Sequence, residues 1–349
     1  MISPSLTIDL FLESSINGTV IDVRSPAEYQ KGHIPNAINI PLFDDDERAE
    51  IGIIYKMLGK ENAVEKGLQL VSPKLTELVR YTKSMASSKK VFVYCWRGGM
   101  RSNSFAWLMN TSGIDAKILQ GGYKKYRNHI LSFFETKLKL LILGGPTGSG
   151  KSEVLRLLEK NGQQIIDLEK IARHKGSAFG SINEKAQLPQ QLFEHHLFNA
   201  FQNLDLKRPV WLEDEAMAIG WNKIPFPLWK QMKTAPILKI NVPFESRVER
   251  LVKDYTTTDH SLLERALTAI KDKLGGKKYS EALEKLNQGN LHAVASIALS
   301  YYDEAYEFNH SKREFKNIYQ IEVNSGEEEI NCKKVLDYYS NFNPSLISV

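Results

Sequence analysis

The chain has 349 residues, of which 42% are hydrophobic and 25% charged, as is typical of a folded globular protein. This length is sufficient for two domains. The net charge of +5 is mild and spread over both halves, so it allows a polyanionic partner without requiring one. With two cysteines, no long apolar stretch and no signal-peptide pattern, a disulfide framework and a membrane span are not expected, and we expect a cytoplasmic protein.

The first 135 residues alternate short apolar segments with helical stretches, which predicts an α/β layer structure. Residues 18–23, 90–95 and 116–122 have the apolar character of buried strands, and residues 102–110 that of a helix. The sequence therefore predicts an α/β domain over residues 1–135, with its boundary in the helical run 123–135.

Residues 136–349 are predicted to form a second domain that begins with a strand, a glycine-rich loop and a helix. Its later strands alternate with helical or loop segments, which is the order of a parallel sheet with crossover helices. From about residue 245 the chain is predicted to be mostly helical. The predicted strands of this domain occupy residues 137–145, 163–168, 209–214, 235–242 and 317–323.

The strand at 90–95 is predicted to deliver Cys95 to a loop with the sequence CWRGGMRS, directly before a helix. Gly98 and Gly99 allow the backbone to turn its N–H groups inward, where they attract an anion. Arg97 and Arg101 add positive charge, which favours a nucleophilic thiolate. The alternative is a buried structural thiol.

A second anion loop follows the strand at 137–145 and matches G-x-x-x-x-G-K-[ST], in the strand-to-helix context that this motif requires. Its glycines present backbone N–H groups to a diphosphate, Lys151 supplies a cation, and the Ser152 hydroxyl can reach a metal ion. The second domain is thus predicted to be P-loop NTPase-like. The predicted diphosphate-binding residues are Gly145, Thr147, Gly148, Ser149, Gly150, Lys151 and Ser152.

Acidic residues at predicted strand ends are candidates for orienting Mg²⁺ or acting as acid or base. Asp167 ends one strand, and Glu213, Asp214 and Glu215 follow another; we select Asp167, Glu213 and Asp214. A solvated acidic turn is an equally good account of any one of them. No guanine-recognition motif is present, so the loop indicates a diphosphate without identifying the molecule that carries it.

Three basic segments are candidates for contacts with RNA, although each is by itself also typical of a solvated surface. The candidates are Arg173, His174 and Lys175 in the first segment, Lys277 and Lys278 in the second, and Lys312, Arg313 and Lys316 in the third.

Two other groups of side chains receive structural interpretations. His195 and His196 lack ligands at suitable spacing, so no metal site is assigned to them. Trp221, Phe226 and Trp229 are predicted to pack in the core rather than line an apolar groove, and Cys332 is predicted to be inert.

Residues 21–42 and 119–127 resemble the N- and C-terminal signatures of rhodanese-type sulfurtransferases, and Cys95 takes the position of the persulfide-carrying cysteine. The resemblance implies structural roles for Asp22 and Arg24. The spacing Cys95-x5-Arg101 is one residue longer than in common single-domain rhodaneses and is similar to Cys-based phosphatases of the same fold. A tetrahedral phosphate-like donor fits the wider loop better than a bare persulfide.

The segments YCWRGGMRS, GGPTGSGKS, DLEKIARHKGSAFG and WLEDEA, in this order, resemble the tRNA 2-selenouridine synthase family. The resemblance implies a transferase that acts on the wobble 2-thiouridine of tRNA, in the anticodon region. In that family geranyl diphosphate alkylates the sulfur, and selenophosphate then replaces the S-geranyl group with selenium. It implies these two cosubstrates, no tightly bound cofactor, and a Cys95 that carries selenium as a perselenide or positions it.

Three other classes of function remain open at this point. The first is an ATP-dependent enzyme that makes thionucleosides by sulfur transfer. The second is a Cys-based phosphatase of rhodanese fold, and the third is a non-enzymatic module that only binds anions. Competition between ATP and geranyl diphosphate, phosphate release from aryl phosphates, and the alkylation kinetics of Cys95 distinguish them.

Overall fold

The computed structural model describes residues 3–86, 88–311, 318–323 and 326–341. The chain divides into two units, which are described separately below. Unit 1 comprises Met1–Phe133 and Pro189–His195, and unit 2 comprises Phe134–Leu188 and His196–Val349. The division after Phe133 lies two residues from the predicted boundary, whereas the assignment of Pro189–His195 to unit 1 had no signal in the sequence.

Unit 1 is built around a five-stranded sheet whose neighbouring strands are all parallel. Its strands are β1 (Ser5–Leu6), β2 (Thr19–Asp22), β3 (Ile38–Asn39), β4 (Lys90–Tyr94) and β5 (Asp115–Leu119). They lie in the order β1-β5-β4-β2-β3, so that β4 is central and is paired on both sides. The predicted strands at 18–23, 90–95 and 116–122 coincide with β2, β4 and β5.

In the described part of the chain, seven helices and one 3₁₀ turn lie between these strands or directly after the last of them. They are α1 (Ile8–Ser15), α2 (Pro26–Lys31), α3 (Asp45–Leu58), α4 (Lys60–Val71), the 3₁₀ turn (Ser72–Lys74), α5 (Leu75–Met85), α6 (Met100–Thr111) and α7 (Gly122–Phe133). The start of α3 is fixed by a capping box, in which Asp44 accepts a hydrogen bond from the Glu47 amide at 2.8 Å and Glu47 accepts one from the Asp44 amide at 3.0 Å.

A buried ion pair stabilises the end of β2. Arg24 is 1% exposed, and its Nη2 donates to Asp22 Oδ2 at 2.6 Å and to the Gly32 carbonyl at 2.7 Å. Its guanidinium also lies 3.8 Å from the ring centre of Tyr123. Burial disfavours the charged form, but the hydrogen bonds and charge of Asp22 outweigh it and raise the pKa of Arg24. Both side chains are structural, as the rhodanese resemblance implied.

Unit 2 contains a second five-stranded sheet in which all neighbouring strands are parallel. Its strands are β6 (Leu140–Gly144), β7 (Gln164–Ile166), β8 (Val210–Glu213), β11 (Ile237–Asn241) and β12 (Ile318–Glu322), in the order β12-β11-β6-β8-β7. A separate antiparallel hairpin is formed by β9 (Ala218–Ile219) and β10 (Asn222–Lys223). All five predicted strands of the second domain are present.

The remaining helices are α8 (Lys151–Lys160), α9 (Leu168–Ala172), α10 (Gln190–Gln202), α11 (Phe226–Thr234), α12 (Phe244–Tyr255), α13 (His260–Ala269), α14 (Lys271–Leu274), α15 (Gly276–Asn287), α16 (Leu291–Ser311) and α17 (Glu328–Ser340). One core cluster joins α8 and α17 to the sheet, and another joins α13, α15 and α16. The predicted C-terminal helical part is therefore present. Among the described residues, no helix is both long enough and apolar enough to cross a membrane.

The buried ion pair leads to a prediction about stability. Replacing Arg24 by Leu leaves the Asp22 carboxylate buried without its partner, which should reduce the free energy of unfolding by about 3–5 kcal/mol. Replacing Asp22 by Asn in the same chain removes the uncompensated charge and should recover part of the loss. Urea unfolding of the single and double variants measures both effects. Arg80 is exposed, and Arg80→Leu is the control that should change stability by about 0.5 kcal/mol at most.

Candidate functional site

The structure places Cys95 where β4 ends and the loop before α6 begins. Its side chain is 4% exposed, and its Sγ lies 3.3 Å from Ser102 Oγ. Because the Ser102 hydroxyl donates its hydrogen to the Gly99 carbonyl at 3.0 Å, the thiol is the donor in the contact between Cys95 and Ser102. The thiol is thus held by a hydrogen-bond chain that the sequence had not indicated.

The loop after Cys95 has the backbone arrangement of an anion cradle. Gly98 adopts a left-handed conformation with φ of 64°, and α6 begins two residues later at Met100. Within the described part of the chain, the amides of Trp96, Arg97, Gly98 and Gly99 have no hydrogen-bond acceptor. Unpaired N–H groups at a helix N-terminus attract a negatively charged group.

The turn at the start of α7 packs against this loop and fixes its position. The amides of Tyr123 and Lys124 donate to the carbonyls of Cys95 and Trp96 at 2.8 and 2.9 Å. The two backbones approach so closely that a Cβ on Gly98 would lie 2.6 Å from the Leu119 carbonyl oxygen. Gly122 has φ of 58° and faces the Cys95 carbonyl, so neither position has room for a side chain. This close approach explains the glycine at position 122 of the segment 119–122.

The two arginines of the loop have different environments. Arg101 forms an ion pair with Glu28 of α2, with Nη1 2.6 Å from Oε2, whereas Arg97 is exposed. Burial acts to raise the pKa of Glu28, but the hydrogen bond and charge of Arg101 outweigh it and lower that pKa. Glu28 therefore orients Arg101 and partly neutralises its charge. The sequence analysis did not identify this role, because the two residues are 73 positions apart.

The second anion loop joins β6 to α8 within unit 2 and opens into a cleft of about 520 Å³. Gly148 and Gly150 have φ of 78° and 74°, which turns the backbone in the manner that a phosphate loop requires. The Gly145 amide donates to the Tyr306 hydroxyl at 3.0 Å. All the predicted diphosphate-binding residues line this cleft: Gly145, Thr147, Gly148, Ser149, Gly150, Lys151 and Ser152.

Glu169 and Glu215, which we had not selected as candidate acids, interact with the lysine and serine of the phosphate loop. The Ser152 hydroxyl donates to Glu169 Oε2 at 2.7 Å, and the positive charge of Lys151 acts on both Glu169 and Glu215. Burial and the negative charge of Glu169 raise the pKa of Glu215 to about 8, and burial also raises the pKa of Glu169. The hydrogen bond that Glu215 shares with Glu169 also favours the protonated form of Glu215.

The three selected acids occupy different positions around this cleft. Asp167 caps α9, accepting a hydrogen bond from the Lys170 amide at 2.7 Å, and also contacts Arg156 at 3.3 Å. Glu213 is fully buried and accepts a hydrogen bond from the Leu168 amide at 2.8 Å; burial raises its pKa. Asp214 lines the cleft and accepts a hydrogen bond from Tyr306 at 3.3 Å.

Hard oxygen ligands for a Mg²⁺ ion are present at this loop. Mg²⁺ usually binds one or two carboxylates together with phosphate oxygens of the substrate. The Ser152 hydroxyl and the Glu169 carboxylate, 2.7 Å apart, match that set of ligands. The residues therefore fit the ion, and the acid, base or Mg²⁺ roles of Asp167, Glu213 and Asp214 stay predictions.

The predicted RNA-contacting residues that the structure describes have different environments. Lys175 lines the diphosphate cleft, whereas Arg173 donates to the Ala186 carbonyl at 3.1 Å and His174 is partly buried, which lowers its pKa. Lys277 and Lys278 are exposed in the first turn of α15, where Lys278 pairs with Glu304. Lys312, Arg313 and Lys316 lie outside the described residues. Contact with RNA remains a prediction for all of them.

The core interpretation of the aromatic residues was wrong for two of the three. Trp221 is 65% exposed and Phe226 is 59% exposed, because the β9–β10 hairpin and the start of α11 carry them to the surface. Trp229 is partly buried and lines the diphosphate cleft.

His195 and Cys332 are both buried. His195 is buried in unit 1, with Nδ1 2.7 Å from the His33 carbonyl and Nε2 3.3 Å from the Tyr123 hydroxyl. Cys332 is buried in α17, and burial raises its pKa.

A parallel sheet that ends in a cysteine loop, followed by one that ends in a phosphate loop, defines a two-domain protein of rhodanese-like and P-loop type. In agreement, the model of the rhodanese-like domain family matches residues 8–129, and that of the tRNA 2-selenouridine synthase AAA domain matches residues 138–333. The chain belongs to the tRNA 2-selenouridine synthase family. The predicted fold class and family resemblance are confirmed.

Relatives in this family match along most of their length. The tRNA 2-selenouridine synthase of Shewanella denitrificans (strain OS217) is 33% identical, over 89% of this chain and 92% of its own. That of Cronobacter sakazakii is 34% identical, over 84% of this chain and 88% of its own. The N-terminal domain of a putative ATP/GTP binding protein from Clostridium difficile 630 is a solved structure that is 41% identical over 36% of this chain and 98% of its own, with a TM-score of 0.34.

The close approach behind the cysteine loop predicts unequal effects of two glycine substitutions. Gly122 and Gly113 both have positive φ, so alanine should cost about 1–2 kcal/mol of backbone strain at either position. Only at Gly122 does a Cβ meet other atoms, because Gly113 faces open space. Gly122→Ala should therefore lose a further 1–3 kcal/mol or so in urea unfolding. Equal losses in the two variants would show that the close approach is absent.

The raised pKa of Glu215 predicts a dependence of stability on pH. Between its ordinary pKa of 4.5 and about 8 the folded protein binds more protons at Glu215 than the unfolded chain, so stability falls as pH rises through this window. Because the carboxyl is partly open to the cleft, we expect a loss on the order of 1–3 kcal/mol between pH 5 and 9. Glu215→Gln should flatten part of this fall in urea unfolding; an unchanged slope would contradict the shifted pKa.

Proposed function

We propose that this chain is a transferase that converts the wobble 2-thiouridine of tRNA to 2-selenouridine in two steps, and that it acts in the cytoplasm. The observation that carries the proposal is the presence, in one chain of this family, of two complete anion loops with different reactive groups. One loop carries Cys95, and the other carries Lys151. Each loop suits one of two phosphorus-containing cosubstrates, selenophosphate and geranyl diphosphate.

The first step is assigned to the cleft of unit 2. The sulfur of 2-thiouridine attacks C1 of geranyl diphosphate, so that a carbon–sulfur bond forms, the carbon–oxygen bond to diphosphate breaks, and the N3 proton of the base is lost to solvent. Lys151 and the backbone N–H groups of the loop stabilise the charge that develops on the leaving diphosphate. Ser152 and Glu169 would hold a Mg²⁺ ion, which when bound neutralises further charge on the diphosphate.

The second step is assigned to the cysteine loop of unit 1. The amides of residues 96–99 have no acceptor within the described residues and suit the tetrahedral phosphate end of selenophosphate. Selenium attacks C2 of the alkylated base, a carbon–selenium bond forms, the bond from C2 to sulfur breaks, and the S-geranyl group takes a proton from solvent and leaves as geranyl thiol. Water then cleaves the selenium–phosphorus bond to give phosphate and 2-selenouridine. Cys95 positions the selenium for this attack without a bond to it, and Arg101, oriented by Glu28, adds positive charge.

The arrangement gives less support to the rival functions. A Cys-based phosphatase leaves the complete phosphate loop of unit 2 without a role. A non-enzymatic anion sensor has no need for a cleft in which Lys151 acts on two carboxylates with raised pKa values. An ATP-dependent sulfurtransferase remains the strongest alternative, and it is distinguished by whether ATP or geranyl diphosphate is consumed.

The test separates the two steps by mass analysis of nucleosides. Purified protein is incubated with 2-thiouridine tRNA, geranyl diphosphate and selenophosphate, and the nucleosides are then analysed. Lys151→Ala should slow formation of the S-geranyl nucleoside by about 10²–10³, which is the usual cost of removing one group that stabilises developing charge. Cys95→Ser should accumulate the S-geranyl nucleoside and produce no 2-selenouridine.

Matched controls lie nearby in the chain. Lys160 is exposed at the other end of α8, and Cys332 is the second cysteine, so Lys160→Ala and Cys332→Ser should leave both steps unchanged. Full selenation by Cys95→Ser would refute the role of Cys95. Modification that requires ATP and proceeds without geranyl diphosphate would favour the ATP-dependent alternative.

A further inference from the structure

A small apolar pocket, called here the side pocket, lies beside the diphosphate cleft in unit 2. It has a volume of about 40 Å³ and is formed by the loop after α9 together with α12, α13 and α16. Its apolar lining includes Phe179, Leu251, Leu263, Val294, Ala295 and Ala298. Phe179, Leu263, Val294 and Ala298 belong to the core cluster of the C-terminal helices, so the pocket is a cavity inside this helical layer.

The side pocket and the diphosphate cleft adjoin each other. Thr147, Ser177, Leu251, Tyr255 and Tyr302 line both of them. The phosphate loop lies directly against the wall of the side pocket, because a Cβ on Gly148 would be 3.5 Å from Leu251 Cγ. The side pocket is therefore the apolar space next to a ligand whose phosphate groups lie on the loop.

The polar groups where the side pocket meets the diphosphate cleft form hydrogen bonds within the protein. The Tyr302 hydroxyl accepts a hydrogen bond from the Ala178 amide at 3.0 Å. The Arg247 guanidinium donates to the Thr147 carbonyl at 3.1 Å and to Asp303 at 2.8 Å. The surface that faces the side pocket is therefore hydrocarbon. Such a surface excludes water and binds apolar ligand atoms.

The size of the side pocket favours the end of a chain over a ring. A cavity needs about 10–15 Å³ to hold one water molecule, so 40 Å³ gives room for about three or four water-sized groups, such as the branched end of a hydrocarbon chain, and not for a purine. Ala295 and Ala298, which are separated by three residues on α16, contribute only methyl groups to its wall. Larger side chains at these positions would fill it.

We propose that the side pocket binds the end of the hydrocarbon chain of the diphosphate ester whose phosphates occupy the phosphate loop, and that Ala295 and Ala298 set the length of chain accepted. This inference rests on the proposed function, since it locates the prenyl group of that substrate. Each methylene that leaves water for such a pocket increases affinity about fourfold, so the longer of two chains that fit binds more tightly.

The test compares a ten-carbon and a five-carbon substrate, geranyl diphosphate and dimethylallyl diphosphate. The wild-type chain should prefer geranyl diphosphate in kcat/KM for S-alkylation of 2-thiouridine tRNA. Ala298→Leu should shift the ratio of kcat/KM values toward dimethylallyl diphosphate by about tenfold or more, because the added carbons fill the space that the end of the longer chain would occupy. Ser300→Leu, on the exposed side of the same helix, should leave the ratio unchanged.

A binding measurement keeps this inference separate from the proposed function. Calorimetry without tRNA compares the binding of inorganic diphosphate with that of geranyl diphosphate. The wild-type chain should bind geranyl diphosphate more tightly. Ala298→Leu should lose that difference in affinity while it still binds inorganic diphosphate. Should Ala298→Leu fail to bind inorganic diphosphate, Ala295→Val provides the smaller change. A wild type that binds geranyl diphosphate more tightly but transfers no prenyl group would refute the proposed function alone. A variant that binds inorganic diphosphate normally and keeps the wild-type chain-length preference would refute the side pocket alone.

Discussion

Both candidate sites depend on backbone N–H groups that are left without an acceptor where a parallel strand meets a helix. In unit 1 these are the amides of residues 96–99, and in unit 2 they belong to the loop between β6 and α8. A buried N–H group without a partner is unfavourable, so such loops occur where an anionic ligand supplies the missing acceptor. The surrounding structure has to hold the loop open, and the two units do so in different ways.

In unit 1 the support is steric and comes from the backbone. Gly98 and Gly122 allow two loops to touch, and hydrogen bonds from Tyr123 and Lys124 fix the carbonyls of Cys95 and Trp96. In unit 2 the support is electrostatic and comes from side chains. The positive charge of Lys151 acts on Glu169 and Glu215, whose protonation responds to burial and to each other. A diphosphate that binds there brings negative charge next to these carboxyls, so the protonated form of Glu215 favours its binding.

Some features of the site could be predicted because the chemistry lies within one short segment. Cys95 and its glycines, and the loop from Gly145 to Ser152, are each contiguous and lie between a strand and a helix. Other features could not be predicted, because the partner comes from elsewhere in the chain. Glu28 reaches Arg101 across 73 positions, and Glu169 reaches Ser152 across 17.

The sequence by itself determined the two α/β units, their strands, the two anion loops and the family, because strand periodicity and loop motifs are local properties of the chain. The tertiary structure alone decided which carboxylates join the phosphate loop, that Trp221 and Phe226 face outward, and that an apolar side pocket adjoins the cleft. The physical reason is that burial and the identity of charged neighbours depend on how distant helices and strands pack. No local pattern of residue types contains that information.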